Sequence, residues 1–348
     1  MDDSDNQEFP KDHLDALKND THLVIMPITR LLVEFGRCNG PLGISFYPKY
    51  DIDLKCLKII YDQEGSNRLA AHVSAASGMD SQILDANAVV VFPYSFDWKK
   101  FRNNSHKENT DFIRILSNYV DKECLNAIRY RHCSLDDIYN LPGRAGTIYS
   151  NRMMAGATLY NHTRGEGRII GGDPFSHTVT KGLGLSVGYI EQEMFPKNGE
   201  VGHILNHSLM LYTALLETDS PTIRFTQAIS LLEYLAFPGE YRRFQEVKKI
   251  ISRYVATDQN EYNLLMERFK VLTGQKDEST RETIGLRTKI VHMGCTLDEL
   301  LPGFEERQRL FGELDRYIRA AMDHMKTYSD LPWEKYKQIR DRLRPFEL

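Results

Sequence analysis

An arginine and a histidine lie five positions apart in the segment Leu286–Gly294, LRTKIVHMG. An imidazole such as that of His292 can take or give a proton during a reaction. The guanidinium of Arg287 can hold a phosphate group and stabilise the charge that grows on its oxygens. Together the two residue types could carry out acid–base chemistry on a phosphate ester.

This spacing alone is weak evidence, because with 11 histidines in the chain chance predicts about one such pair. Arg319 and His324 have the same spacing within a long predicted helix, where five residues turn the helix by about 500° and separate the side chains by about 140°. Arg287 and His292 instead precede Gly294, a residue type typical of helix ends. A tightened or unwound last turn could bring them into one cleft. The alternative is a surface arginine beside a helix-terminal histidine.

The elements that would position this pair are helices. From residue 203 to 348 apolar residues recur at three- and four-residue spacing, which is typical of amphipathic helices. Residues 21–202 contain short apolar or alternating runs between Gly, Pro, Asn and Asp, which is typical of strands and turns. The pattern predicts an α+β N-terminal domain followed by an all-α helical bundle. Residues 1–20 are predicted to form a polar tail.

One helix is predicted within the α+β domain, over Asn109–Ile128. Its apolar residues recur at helical spacing, and Thr110 and Asp111 are its possible N-terminal caps. The domain as a whole shows no motif that assigns it a role. By its position it would be a sensing, regulatory or substrate-selecting module.

Bulk properties exclude several classes of protein. The chain of 348 residues fits two domains, and its net charge of -4 argues against a protein that coats nucleic acid through bulk charge. The five cysteines are scattered without a C-x-x-C pair, which indicates reduced thiols and no zinc site. The acidic N-terminus does not resemble a signal peptide, and no apolar run is long enough to cross a membrane. A soluble cytoplasmic protein is expected.

The C-terminal region resembles a HEPN domain, in particular the abortive-infection or ApeA-like branch of that family, over residues 203–345. Ser230–Leu235, SLLEYL, is similar to the A-L-E-x-L helix of that branch. Leu286–Gly294 is similar to its L-R-x-x-I-V-H-x-G segment. The resemblance therefore implies a HEPN-like helical bundle at this end of the chain.

The resemblance also assigns roles to individual residues. Arg287 and His292 take the catalytic motif positions, and Glu233 takes the acidic position of the earlier helix. Glu233 could orient one of the motif side chains, or it could complete a hydrogen-bond network in the core. Thr288 and Lys289 are expected to support the site, with Lys289 as a phosphate ligand.

Active members of this family are mostly metal-independent endoribonucleases, in which the ribose 2′-OH attacks the adjacent phosphorus. The resemblance therefore implies an RNA substrate, a 2′,3′-cyclic phosphate product, no metal and no cofactor. Two HEPN domains usually dock with both motifs in one cleft, which implies a homodimer through this domain. Arg242, Arg243, Lys248 and Lys249 are predicted on one helix and could hold the RNA backbone; the alternative is a solvated helix face.

Two functions follow from these observations. The first is an endoribonuclease of the phage-defence or toxin type, acting alone or with a defence-system partner protein. The alternative is a non-catalytic helical module for interaction, dimerisation or nucleotide binding within a larger defence complex. The glycine-ended motif helix favours the enzyme, whereas Thr288, where many members have Asn or Asp, and the net negative charge favour the module.

Overall fold

The computed structural model describes residues 10–15, 17, 20–52, 87–137, 140–149, 153–173, 184–274 and 285–343. The chain divides into two compact units. The first comprises Met1–His132 and Tyr139–Met194, and the second comprises Cys133–Ile138 and Phe195–Leu348. The first contains an antiparallel sheet and the second is helical, which confirms the predicted order of an α+β region followed by a helical region.

The strands of the first unit form a large antiparallel sheet and a separate pair. The described strands are β1 (Thr21–Ile28), β2 (Leu31–Val33), β3 (Cys38–Asn39), β4 (Ser45–Tyr47), β5 (Ala88–Ser95), β6 (Thr147–Tyr149), β7 (Met153–Asn161), β8 (Glu166–Gly172) and β9 (Leu185–Val187). The large sheet has the order β3-β4-β5-β1-β7-β6, and β8 also pairs with β7. The strands β2 and β9 pair in parallel.

The centre of the large sheet is apolar on both faces. Strand β1 is buried from His22 to Ile28, and it pairs with the equally apolar β5 so that Val24 lies opposite Phe92. A continuous run of Leu, Val and Ile is typical of a strand that is covered on both sides. Each such side chain removed from water stabilises the fold by about 1.5–3 kcal/mol.

The described helices of the first unit are α1 (Lys11–Asp15), α2 (Trp98–Phe101), α3 (His106–Val120) and α4 (Asn126–His132). The predicted helix over Asn109–Ile128 is present but longer. Its cap is Ser105, which forms a reciprocal capping box with Glu108, so the prediction of Thr110 and Asp111 as caps was wrong. A π-helical turn continues α3 into α4. Most of the predicted polar tail lies outside the described residues, although α1 falls within it.

The second unit is a bundle around one long helix. Within its described residues the helices are α5 (Glu200–Glu217), α6 (Pro221–Ala236), α7 (Phe244–Val255), α8 (Gln259–Thr273), α9 (Leu286–Met293), α10 (Leu297–Leu300), α11 (Phe304–Thr327) and α12 (Trp333–Asp341). The long helix α11 packs against α5, α6 and α7. Among the helices described in either unit, none is both long and apolar enough to cross a membrane.

A buried polar network holds the centre of the bundle. The carboxylate of Asp315 accepts hydrogen bonds from the Tyr212 hydroxyl at 2.5 Å and from Arg319 Nε at 2.6 Å. Arg319 also donates to the carbonyl oxygen of Cys133. In the same helix, His324 hydrogen bonds with the Tyr336 hydroxyl at 3.0 Å. Arg319 and His324 therefore serve separate structural contacts, as their divergence on a regular helix predicts.

Candidate functional site

The motif segment forms helix α9, which ends where the sequence predicts. Gly294 follows the last helical residue with a φ of 73° in the left-handed region, a conformation that glycine adopts at little cost. The carbonyl oxygen of Lys289 accepts hydrogen bonds from the backbone N–H groups of Gly294 and Cys295. Contrary to expectation, α9 remains α-helical through Met293, so its last turn is neither tightened nor unwound.

Helix α9 begins in close contact with the end of α8. A Cβ atom added to Gly285 would lie 1.8 Å from the backbone nitrogen of Gly274, so only glycine allows this approach. Thr288 Oγ1 donates a hydrogen bond to the carbonyl oxygen of Thr273 at 3.3 Å. The side chain of Thr288 thus ties α9 to α8.

The structure brings Glu233 and Arg287 together. Arg287 Nη1 lies 2.8 Å from Glu233 Oε1, which joins α9 to α6. The guanidinium carbon of Arg287 also lies 5.8 Å from the ring centroid of Phe244. Two roles were predicted for Glu233, and its contact with Arg287 fits the first, in which Glu233 orients a motif side chain. An arginine has five N–H donors, so one ion pair leaves others for a phosphate.

The ion pair positions Arg287 more than it stabilises the fold. The Arg287 and Glu233 side chains are 35% and 30% exposed, respectively. Pairs that retain this much contact with water contribute about 0–1 kcal/mol. The aromatic ring of Phe244 on one side and the carboxylate on another restrict where the guanidinium can lie.

His292 lies on a different face of α9. Its side chain is exposed, and it shares a face with Thr288 and Lys289, which precede it by four and three residues. On a regular helix its direction differs from that of Arg287 by about 140°. One chain therefore directs the imidazole and the guanidinium to different sides of α9, and a shared cleft would need a second motif helix.

The four predicted RNA-binding cations do not lie on one helix face. Helix α7 begins at Phe244, so Arg242 and Arg243 precede it, and the prediction that all four lie on one helix was wrong. Lys248 is only 4% exposed, and burial lowers its pKa. Lys249 is partly exposed and Arg243 is exposed. The exposed positive charge of this region is therefore concentrated before α7 rather than along it.

A cavity that the sequence did not predict lies beside Glu233. Its volume is about 330 Å³, and it opens at the end of α6 and the connection to α7. The residues that line it are Glu233, Tyr234, Phe237, Gly239, Glu240, Tyr241, Arg242 and Val247. Glu240, Tyr241 and Arg242 follow the Pro238-Gly239 turn, and the pair of an aromatic and a cation among them was the signal available in the sequence.

The arrangement offers an oriented guanidinium, an exposed imidazole and a cavity bordered by the carboxylate that orients Arg287. Within the described residues, no group of three or more His, Cys, Asp or Glu side chains is placed to hold a metal ion. No family model matches this chain, and neither a similar curated protein nor a similar solved structure was found.

Proposed function

We propose that this protein is a metal-independent endoribonuclease of the HEPN type, which cleaves RNA with Arg287 and His292 in a homodimer. The observation that carries the proposal is the 2.8 Å contact between Arg287 and Glu233. It joins the two segments on which the resemblance to HEPN domains depends. A chance likeness of two short segments gives no reason for their charged residues to meet in the fold.

The proposed reaction uses only groups of this chain and of the RNA. The ribose 2′-oxygen forms a bond to the adjacent phosphorus, and the bond from phosphorus to the 5′-oxygen breaks. The imidazole of His292 accepts the proton of the 2′-OH and then gives a proton to the leaving 5′-oxygen. Arg287 stabilises the charge on the non-bridging phosphate oxygens. In a dimer, each of the two sites combines Arg287 of one copy with His292 of the other.

The direction of the two side chains is the reason for a dimer. Arg287 and His292 diverge on α9, so a site that contains both needs a motif helix from each of two copies. Val291 and Met293 flank His292 and are 51% and 66% exposed. A second copy that covers these apolar side chains would bring its own motif to the same cleft, and twofold symmetry would make the contact reciprocal.

The same divergence favours a second candidate function. If no second copy docks on α9, Arg287 and His292 stay apart, and the helical unit would serve as a non-catalytic interaction module. In either role the chain would act in the cytoplasm, as a defence or toxin protein or with a defence-system partner.

Cleavage of total RNA in EDTA tests the enzyme against the module. We expect the parent protein to produce 2′,3′-cyclic phosphate ends and His292→Ala to produce none. His203→Ala is the matched control, because His203 is also an exposed helical histidine but lies on α5. Equal cleavage by the parent and His292→Ala would exclude His292 as the catalytic group. A stable dimer that leaves RNA intact would favour the interaction module.

A further inference from the structure

The cavity beside Glu233 has the size and chemistry of a site for one planar, polar ligand. Its volume of about 330 Å³ is at the lower end of the range for small-molecule sites, about 300–1,000 Å³. Its walls combine the rings of Tyr234, Phe237 and Tyr241 with charged groups. Aromatic walls with a few polar groups are suited to a heterocyclic base, which stacks through its faces and forms hydrogen bonds through its edge.

Tyr241 is the ring best placed to stack on such a base. Its side chain is 95% exposed, so its faces are open to a ligand. The Phe237 ring already has the guanidinium groups of Arg242 and Arg340 at 5.8 Å and 5.5 Å from its centroid. The ring of Tyr234 has an edge-to-face contact with His207, at 4.9 Å between centroids. An aromatic side chain with this exposure contributes little to the hydrophobic core, but at a cavity wall it can stack on a base.

The charged groups of the cavity match one nucleobase better than the others. Arg242 Nε and Nη2 donate to Glu240 Oε2 at 3.0 Å and 2.7 Å, and this hydrogen bond lowers the pKa of Glu240. The Glu240 carboxylate is therefore a hydrogen-bond acceptor that lies next to a donor, the Arg242 guanidinium. Guanine is the RNA base with two adjacent N–H donors, at N1 and N2, followed by the acceptor O6. Adenine, cytosine and uracil do not present this order.

The cavity also lies next to the proposed site of cleavage. Glu233 forms part of its wall and holds Arg287, so a base in the cavity would have its phosphate close to that guanidinium. We infer that the cavity binds a guanine base, with Tyr241 stacked on its face and Glu240 and Arg242 at its edge. The inference rests on the proposed function only for the source of the base, which would be an RNA strand. A free guanine nucleotide presents the same base to the cavity.

Nucleotide binding to the full chain tests the cavity without any cleavage. We expect calorimetry to show that 5′-GMP binds at least about tenfold more tightly than 5′-AMP, and that Glu240→Gln removes this preference. Glu246→Gln is the matched control, because Glu246 lies 3.9 Å from Arg242 but does not line the cavity. Tyr241→Ala should weaken the binding of both nucleotides about tenfold, and Tyr241→Phe should retain it.

Mapping of RNA ends separates the two sources of guanine. Cleavage next to guanines by the parent, with loss of this bias in Glu240→Gln, would identify RNA as the source. Selective GMP binding without such a bias would identify a free nucleotide. Equal affinity for GMP and AMP, or an unchanged preference in Glu240→Gln, would overturn the inference. Because calorimetry of nucleotide binding involves no cleavage, failure of the nuclease proposal would leave the binding result intact.

Discussion

Mixing two inactive variants should restore RNA cleavage if the site is shared between two chains. Arg287→Ala removes the phosphate-binding guanidinium and His292→Ala removes the proton-transfer group, so each variant alone should be inactive. Because the two side chains diverge by about 140° on α9, each working pair would combine Arg287 of one copy with His292 of the other. A mixed dimer then contains one intact pair and one pair that lacks both groups.

The size of the restored activity follows from this geometry. Random exchange of equal amounts of the two variants gives mixed dimers in about half of the population, and each has one of two pairs intact. Activity should therefore return to about a quarter of that of the parent. If Arg287 and His292 of the same chain worked together, both pairs of every mixed dimer would be broken and mixing would restore nothing.

The assay is cleavage of a fluorescent RNA in EDTA after equal amounts of the two variants, each purified alone with a different affinity tag, have been mixed and have exchanged subunits. Each variant alone gives the baseline, and native mass spectrometry measures the fraction of mixed dimers. If mixed dimers are abundant but cleavage stays at the baseline of the single variants, the argument that Arg287 and His292 act between chains is refuted.

Three further predictions concern stability. Asp315→Ala should lower the free energy of unfolding by about 3 kcal/mol, because the buried Tyr212 hydroxyl and the partly buried Arg319 would both lose the carboxylate that accepts their hydrogen bonds. Urea denaturation measures this loss, and a value below about 1 kcal/mol would contradict the prediction. Burial lowers the pKa of His13 from 6.5 to about 4, so the folded state keeps the ring neutral while the unfolded chain takes up a proton. The free energy of unfolding should therefore fall by on the order of 3 kcal/mol as the pH drops from about 6.5 to about 4, and His13→Gln should flatten this slope in urea titrations. Gly285→Ala should lower the melting temperature more than Gly294→Ala. An added Cβ at Gly285 meets the backbone at the end of α8, whereas Gly294 has open space and requires only a positive φ. The reverse order of melting temperatures in thermal unfolding would contradict the close contact of α8 and α9.

Local sequence signals predicted the elements but not all of their ends. The end of α9 at Gly294 was predicted correctly, because a left-handed residue after a helix strongly favours glycine. The start of α3 was not, since Ser105 competes with Thr110 and Asp111 as a cap and wins through its reciprocal bonds with Glu108. Similar polar residues close together make such a choice ambiguous from the sequence.

The candidate site was predictable only in part. The acidic position of Glu233 and the motif positions of Arg287 and His292 came from a resemblance of short segments, and the ion pair between Glu233 and Arg287 was one of two outcomes left open. The burial of Lys248 was not foreseen, because the spacing of charges does not say which neighbours cover a helix. The cavity depends on the path of the chain between α6 and α7, which no periodicity encodes.

The amino-acid sequence by itself determined the helical character of the C-terminal region, the sheet-forming runs of the N-terminal region and the end of α9. These properties follow from interactions between residues that are close along the chain, where spacing and residue type are sufficient. Only the tertiary structure decided that Arg287 meets Glu233 and that a cavity opens beside them. Those contacts join residues distant in sequence, so they depend on how the helices pack.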